Sequence, residues 1–183
     1  KLSKSKIQIG IESAFKNLAL KNSKIDFNLT ESDEFNKNGI NNIEVLYKPS
    51  EQSSPKLLSK IASGGEKSRI LFALKSILSK KIDLPTLVFD EIDSGTSGEI
   101  ANAIGKMMKI MGKKIQIIAI THLPQVASLA DYHYKVFKIE GEKNISTNIK
   151  KLDTSSRIKE IASMISGENI TESAINQAQE LLK

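Results

Sequence analysis

Thr86-Leu87-Val88-Phe89-Asp90-Glu91 is a short apolar run, entered through Pro85 and closed by two acids. Such a run suits a strand of a parallel sheet, buried on both faces. Downstream, Ile115 to Ile120 is a second apolar run, followed by Thr121 and His122. Between them, Ile100, Ile104, Met107, Met108 and Met111 recur at helical spacing over Gly98 to Met111, and Gly112 can end that helix. The Met stripe is read as core packing. Strand, helix and strand in this order make a βαβ unit, whose crossover should be right-handed.

Parallel strands end on one edge of their sheet, the edge where open α/β folds bind ligands. Asp90 and Glu91 therefore share a rim with His122. An acid pair closing a strand is more often a solvated turn, and a lone strand-end His more often a capping donor. In this order the three side chains match what phosphoryl transfer to water needs. Asp90 suits the shell of a Mg²⁺ ion, through water or directly. Glu91 can orient or deprotonate the attacking water, and His122 can donate to a γ-phosphate.

Upstream lies Ser63-Gly64-Gly65-Glu66. Ser-x-x-Glu before an apolar-periodic helix is a capping box, as is Thr96 with Glu99. Capping leaves two consecutive glycines unexplained; they permit close backbone approach at a helix N-terminus, where an anion is favoured. No G-x-x-x-x-G-K-[ST] loop is present, and Gly64-Gly65-Glu66-Lys67-Ser68 has the wrong spacing for one. The chain thus reads as part of an ATPase, a fragment without an initiating Met, inactive on its own.

Composition is compatible. Apolar residues at 39% and charged residues at 26% indicate a globular chain, and 183 residues suffice for one domain with a real core. Cys is absent, which excludes disulfides and Cys-based zinc sites and fits a reducing compartment. No apolar run is long enough to span a membrane, and no export signal is visible. The net charge of +6 fits nucleic-acid binding, although abundant Lys, Ile and Asn also signify biased usage, and aromatics are scarce. His122 and His133 alone support no histidine metal cluster, and His133 is read as a structural strand residue.

Elsewhere, Ile7, Ile11, Phe15 and Leu18 predict an amphipathic helix over Ser5 to Leu20. Ile25 to Leu29 and Ile43 to Tyr47 alternate and predict a hairpin with a long loop around Asn36 to Gly39. Pro49 to Pro55 is an exposed connector. A helix over Glu66 to Lys81 should bury Ile70, Leu71, Leu74, Ile77 and Leu78, with Lys80 and Lys81 at its C-terminal end. Tyr134 to Phe137 and Ile145 to Ile149 flank Gly141 as a second hairpin. Two more helix faces carry Ile158, Ile161, Ala162 and Ile165, then Ala174, Ile175, Ala178, Leu181 and Leu182.

Ile61-Ala62-Ser63-Gly64-Gly65-Glu66 resembles the signature motif of ABC-type ATPases, and its final Glu resembles the SMC-like branch. Leu87 to Glu91 resembles Walker B with its catalytic glutamate, Ser94-Gly95-Thr96-Ser97 the D-loop, and His122 the switch histidine. More narrowly, Lys60 to Ile70, Phe89 to Gly98, Ile120 to Ala127 and the tail from Glu160 to Thr171 resemble the RecN family of bacterial DNA-repair proteins. Lys67 departs from the family, standing where Leu is usual.

The resemblance implies an α/β fold, the C-terminal lobe of an ABC/SMC-type ATPase head, with a mainly parallel sheet flanked by helices. Residues 1–22 would end a coiled-coil arm and 23–183 would form the lobe, the N-terminal lobe with Walker A being absent. It implies ATP and Mg²⁺ held between two heads. Asp90, Glu91 and His122 would act with the chain's own N-terminal lobe, and Ser63, Gly64, Gly65 and Glu66 on the partner head's nucleotide. The partners implied are that lobe, a second copy and DNA, in recombinational repair of double-strand breaks in the cytoplasm, at the nucleoid. Two other classes stand beside it: an ABC transporter subunit, which Glu66 and the arm-like start disfavour, and a non-catalytic DNA- or protein-binding module.

Overall fold

The computed structural model describes residues 2–37, 39–61, 64–79, 84–90, 92, 95–96, 98–140 and 145–183. Helix α1 spans Leu2–Phe15, ending earlier than the apolar spacing predicts. Ala19 takes a left-handed φ of 54°, and the Leu20 N–H bonds back to the Phe15 carbonyl at 3.1 Å. This is a Schellman-type stop. It tucks Leu18 and Leu20 into the core beside Ile11 and Phe15, whereas Ile7, expected on the same face, is 44% exposed.

Strands β1 (Lys24–Asn36) and β2 (Gly39–Lys48) form an antiparallel hairpin, and β3 (Lys56–Leu57) adds to β2 directly after the connector. The predicted long loop is a correction: pairing continues outward until Asn36 faces Gly39, with an irregularity between Glu31 and Asn36. One face carries the pairs Ile25–Tyr47, Phe27–Val45 and Leu29–Ile43. Only the inner pairs reach the core, and Leu29 and Ile43 project beyond it.

Helix α2 spans Gly64–Leu78. It buries Ile70, Phe72, Ala73 and Ser76, while Leu71 and Leu78, placed in the core by the Leu/Ile spacing, are exposed. The stripe is rotated because Phe72 stacks at 5.2 Å on Phe89 of the next strand, a larger apolar surface than either Leu offers. Lys80 and Lys81 lie outside the described residues.

Strand β4 (Thr86–Asp90), helix α3 (Gly98–Met111) and strand β5 (Gln116–Ile120) form the βαβ unit as predicted, with β4 and β5 parallel. The Met stripe is core, with Met108 and Met111 buried beside Ala101 and Ile104. Burial of the strands on both faces is not observed. Val88, Ile118 and Ile120 are 50%, 45% and 54% exposed, because among the described residues nothing covers that side of the sheet.

A four-residue helix α4 (Pro124–Ala127) follows, then the hairpin β6 (Tyr134–Glu140) and β7 (Ile145–Lys151), whose connecting Gly141 lies outside the described residues. Helices α5 (Thr154–Ser166) and α6 (Glu172–Leu181) close the chain around a second small core of Ala127, Ile161, Ala162, Ala174 and Ala178.

Candidate functional site

The rim is built from strand register. Asp90 pairs with Ile120, so both strands finish together, and His122 follows two residues later. Successive strand residues point to opposite faces. Leu87 and Phe89 face the core, and Thr86, Val88 and Asp90 share the bare face with Gln116, Ile118 and Ile120. Phe89 fixes this orientation, because Phe72 lies against its ring and the Lys75 ammonium sits 5.3 Å from the ring centroid. Thr86 Oγ1 donates to Gln116 Oε1 at 2.9 Å at the opposite end of the strands.

His122 is exposed in a tight turn. Thr121 Oγ1 accepts the Leu123 N–H at 3.0 Å, and Pro124 then starts α4 without an N–H to satisfy. Asp90 and the His122 turn are thus brought to one edge. Glu91 lies outside the described residues, as do Ser63, Ser94 and Ser97. Of the D-loop stretch, Gly95 is exposed with φ +69°, a conformation that favours glycine, and Thr96 is half-buried.

The diglycine belongs to α2, not to the β4–β5 pair. Gly64 opens α2, and a Cβ built there would meet nothing within 4 Å, so the chain's own packing does not require glycine. Glu66, in the first turn of α2, meets Tyr47 of β2. Tyr47 is fully buried, with its hydroxyl 2.9 Å from Ser23 Oγ, which also donates to the Pro49 carbonyl at 3.1 Å. Desolvation pushes the Tyr47 hydroxyl above its ordinary value; the Ser23 bond opposes this, and the Glu66 carboxylate, which it also bonds, reinforces it. Sequence reasoning missed Tyr47 and Ser23; the only available signal was a polar-tipped aromatic at a core-facing strand position.

Among the described residues no three His, Cys, Asp or Glu side chains gather as a metal site. Asp90 supplies one hard oxygen donor, which fits Mg²⁺, an ion that keeps several waters and takes one or two protein carboxylates. A cavity of about 220 Å³ between α1 and the hairpin, lined by Gln8, Lys24, Asp26, Leu46 and Lys48, lies away from this edge and offers no phosphate-binding loop. No helix among the described residues is long and apolar enough to cross a membrane.

No family model matches the chain. It is 41% identical over 167 residues to the DNA repair protein RecN of Rickettsia bellii, covering 91% of this chain and 30% of that protein. The RecN of Haemophilus influenzae is 34% identical over 181 residues, covering 98% and 32%. That of Bacillus subtilis is 39% identical over 145 residues, covering 79% and 25%. The chain is RecN-like. It spans between a quarter and a third of the length of these RecN relatives. Among solved structures, the Smc head domain with coiled coil and joint of Pyrococcus yayanosii superposes with a TM-score of 0.69 at 19% identity, over 89% of this chain and 29% of that one. A chain from work on ATP-driven dimerization and DNA-stimulated activation of SMC ATPases gives 0.60 at 20% identity, over 91% and 95%. The α/β fold is that of part of an SMC head domain.

Proposed function

We propose that this RecN-like chain is the C-terminal lobe of an ATPase head acting in recombinational repair of double-strand breaks. The observation that carries the proposal is the shared end of β4 and β5, which presents Asp90 and the His122 turn beside a bare apolar sheet face. Parallel sheets are stable when both faces are covered. Val88, Ile118 and Ile120 suit cover by the N-terminal lobe, which would bring the missing phosphate loop to the same rim.

Within the completed head, Asp90 would hold Mg²⁺, Glu91 would orient and accept a proton from the attacking water, and His122 would donate to the γ-phosphate. Mg²⁺ neutralises charge developing on the phosphate oxygens. Ser63, Gly64 and Gly65 would close over the partner head's ATP, with Glu66 anchored through Tyr47. The open space beside Gly64 supports that role. Ser94 to Ser97 would line the junction between heads. Helix α1, with Ile7 and Ile9 exposed in its first half, would belong to the end of the arm, residues 1–22, and the lobe would occupy 23–183. ATP closes two heads, hydrolysis releases them, and the arm carries the change to DNA at the nucleoid.

The test is to add a separately produced N-terminal lobe and measure ATP turnover with and without DNA. The chain alone should be inactive and the mixture active, while Glu91→Gln should bind ATP yet lose turnover by about 100-fold or more. Full turnover by the chain alone, or by the Glu91→Gln mixture, would sink the assignment.

A further inference from the structure

The turn that carries His122 runs into α4, and α4 is gripped from two sides. On the α3 side, α4 packs closely over a glycine. A Cβ at Gly105 would lie 2.8 Å from Leu129 Cδ1 and 3.4 Å from both the Gln125 carbonyl and Val126 Cα. At Gly98, which opens α3 directly after the D-loop stretch, a Cβ would stand 3.3 Å from Gln125 Nε2. On the α5 side, one guanidinium nitrogen does the holding. Arg157 Nη2 donates to the carbonyls of Ala127 at 3.3 Å, Ser128 at 2.8 Å and Ala130 at 2.5 Å.

Ala127 ends α4 and its carbonyl also accepts the Ala130 N–H at 3.4 Å, whereas Ser128 and Ala130 follow the helix; carbonyls gathered at a helix end favour a cation. Ala127 and Ser128 are buried, so water has little access to those two carbonyls, while the Ala130 contact is exposed. Arg157 is rooted in α5, whose own start is capped by Asp153 accepting the Ser156 N–H at 2.7 Å. The far end of the His122 segment is therefore tied to a stable helix pair, and its near end leaves the sheet at Ile120.

From this geometry we infer that Arg157 is a positioning residue for His122. By clasping the C-terminal end of α4 against α5 while Gly105 admits α4 onto α3, it sets where the Thr121–Leu123 turn presents the imidazole. The inference rests on the proposal that His122 donates to the γ-phosphate. Arg157 itself touches no phosphate. Lys would be a poor replacement, since a point charge on a flexible stem does not reproduce a planar donor held among three carbonyls.

The experiment is a double-mutant cycle in the complete two-lobe protein, with Arg157→Ala, His122→Ala and both together, read by single-turnover ATP hydrolysis and ATP affinity. Arg157→Ala should slow hydrolysis by about 10-fold, within what a small misplacement of a reacting group costs, with affinity changed less than about twofold. In the His122→Ala background the same substitution should cost less than about twofold, because the group it positions is gone. Equal losses in both backgrounds, an affinity loss matching the rate loss, or an unchanged rate would overturn the inference. Normal turnover by His122→Ala would instead overturn the underlying role of His122, and this inference with it. If Arg157→Ala does not fold, the same cycle with Arg157→Lys decides, with an expected loss of about threefold and the same non-additivity.

Discussion

The α5–α6 pair and the β4–β5 pair differ in how completely they satisfy themselves. Asp153 caps α5, Thr171 caps α6 through the Ala174 N–H at 3.2 Å, and Gly167 ends α5 with φ +77° and a bond to the Ser163 carbonyl. Their facing residues Ile161, Ala162, Ala174 and Ala178 are buried. The strand pair has one face in the core and leaves Val88, Ile118 and Ile120 open on the other. The self-sufficient region carries no candidate chemistry, whereas the incomplete one carries Asp90 and leads to His122. Where the chain holds its candidate reactive groups, it leaves apolar sheet surface uncovered among the described residues.

The sharpest way to break this comparison is to substitute neighbouring residues on opposite faces of β4. Phe89→Ala removes a ring packed on Phe72 and should cost about 3–5 kcal/mol in urea unfolding of the chain. Val88→Asp should cost the isolated chain less than about 1 kcal/mol, since its site is solvated. The same substitution should prevent association with the N-terminal lobe, measured by titration calorimetry. If Val88→Asp unfolds the chain as Phe89→Ala does, the bare face is covered by the chain itself and the comparison fails.

The same contrast explains what could be foreseen from sequence. The βαβ unit was legible because its strands are short apolar runs and its helix carries a clean stripe from Ala101 to Met111. The cores of α5 and α6 were legible for the same reason. Periodicity counted on Leu and Ile misplaced the α2 face, because Phe72 and Ala73 outweigh Leu71 and Leu78 once Phe89 lies opposite. The end of α1 was hidden because its stop uses Ala19 at positive φ where glycine is the usual signal. Burial of β4 and β5 was over-read for a physical reason: apolar composition does not say whether one face of a strand or both are covered, and here Val88, Ile118 and Ile120 are open among the described residues. Arg157 and Tyr47 were invisible, since their partners lie 19 or more residues away and are mostly backbone carbonyls or hydroxyls.

A smaller effect is expected on the self-sufficient side. Thr171→Ala removes the α6 cap and should cost about 1 kcal/mol in urea unfolding, with Thr171→Ser recovering most of it. Because the strand pair does not contact this cap, binding of the N-terminal lobe should be unaltered. A large loss of lobe binding would mean that the two regions are coupled more tightly than their separate cores indicate.

The smallest expected effect lies beside Arg157. His133 precedes β6 with its Nδ1 buried and unbonded, beside Arg157 of α5. Desolvation first, then the Arg157 charge, hold its pKa below the ordinary 6.5; Glu160 opposes them, and Lys135 adds to the depression. A histidine harder to protonate when folded than when unfolded leaves the unfolded state with more bound protons between the two pKa values. Stability from this group therefore rises with pH across the window just below 6.5 and is level above it. Urea midpoints taken from about pH 7.5 down to about pH 5.5 should fall for the native chain and fall less for His133→Gln, which cannot titrate. Protonation places a second cation beside the guanidinium that holds α4, so the loss in Arg157→Ala should be smaller than in the native chain but larger than in His133→Gln, because the desolvation of His133 remains. Parallel pH profiles for the native chain and His133→Gln would remove His133 as the source and leave the Arg157 clasp independent of pH.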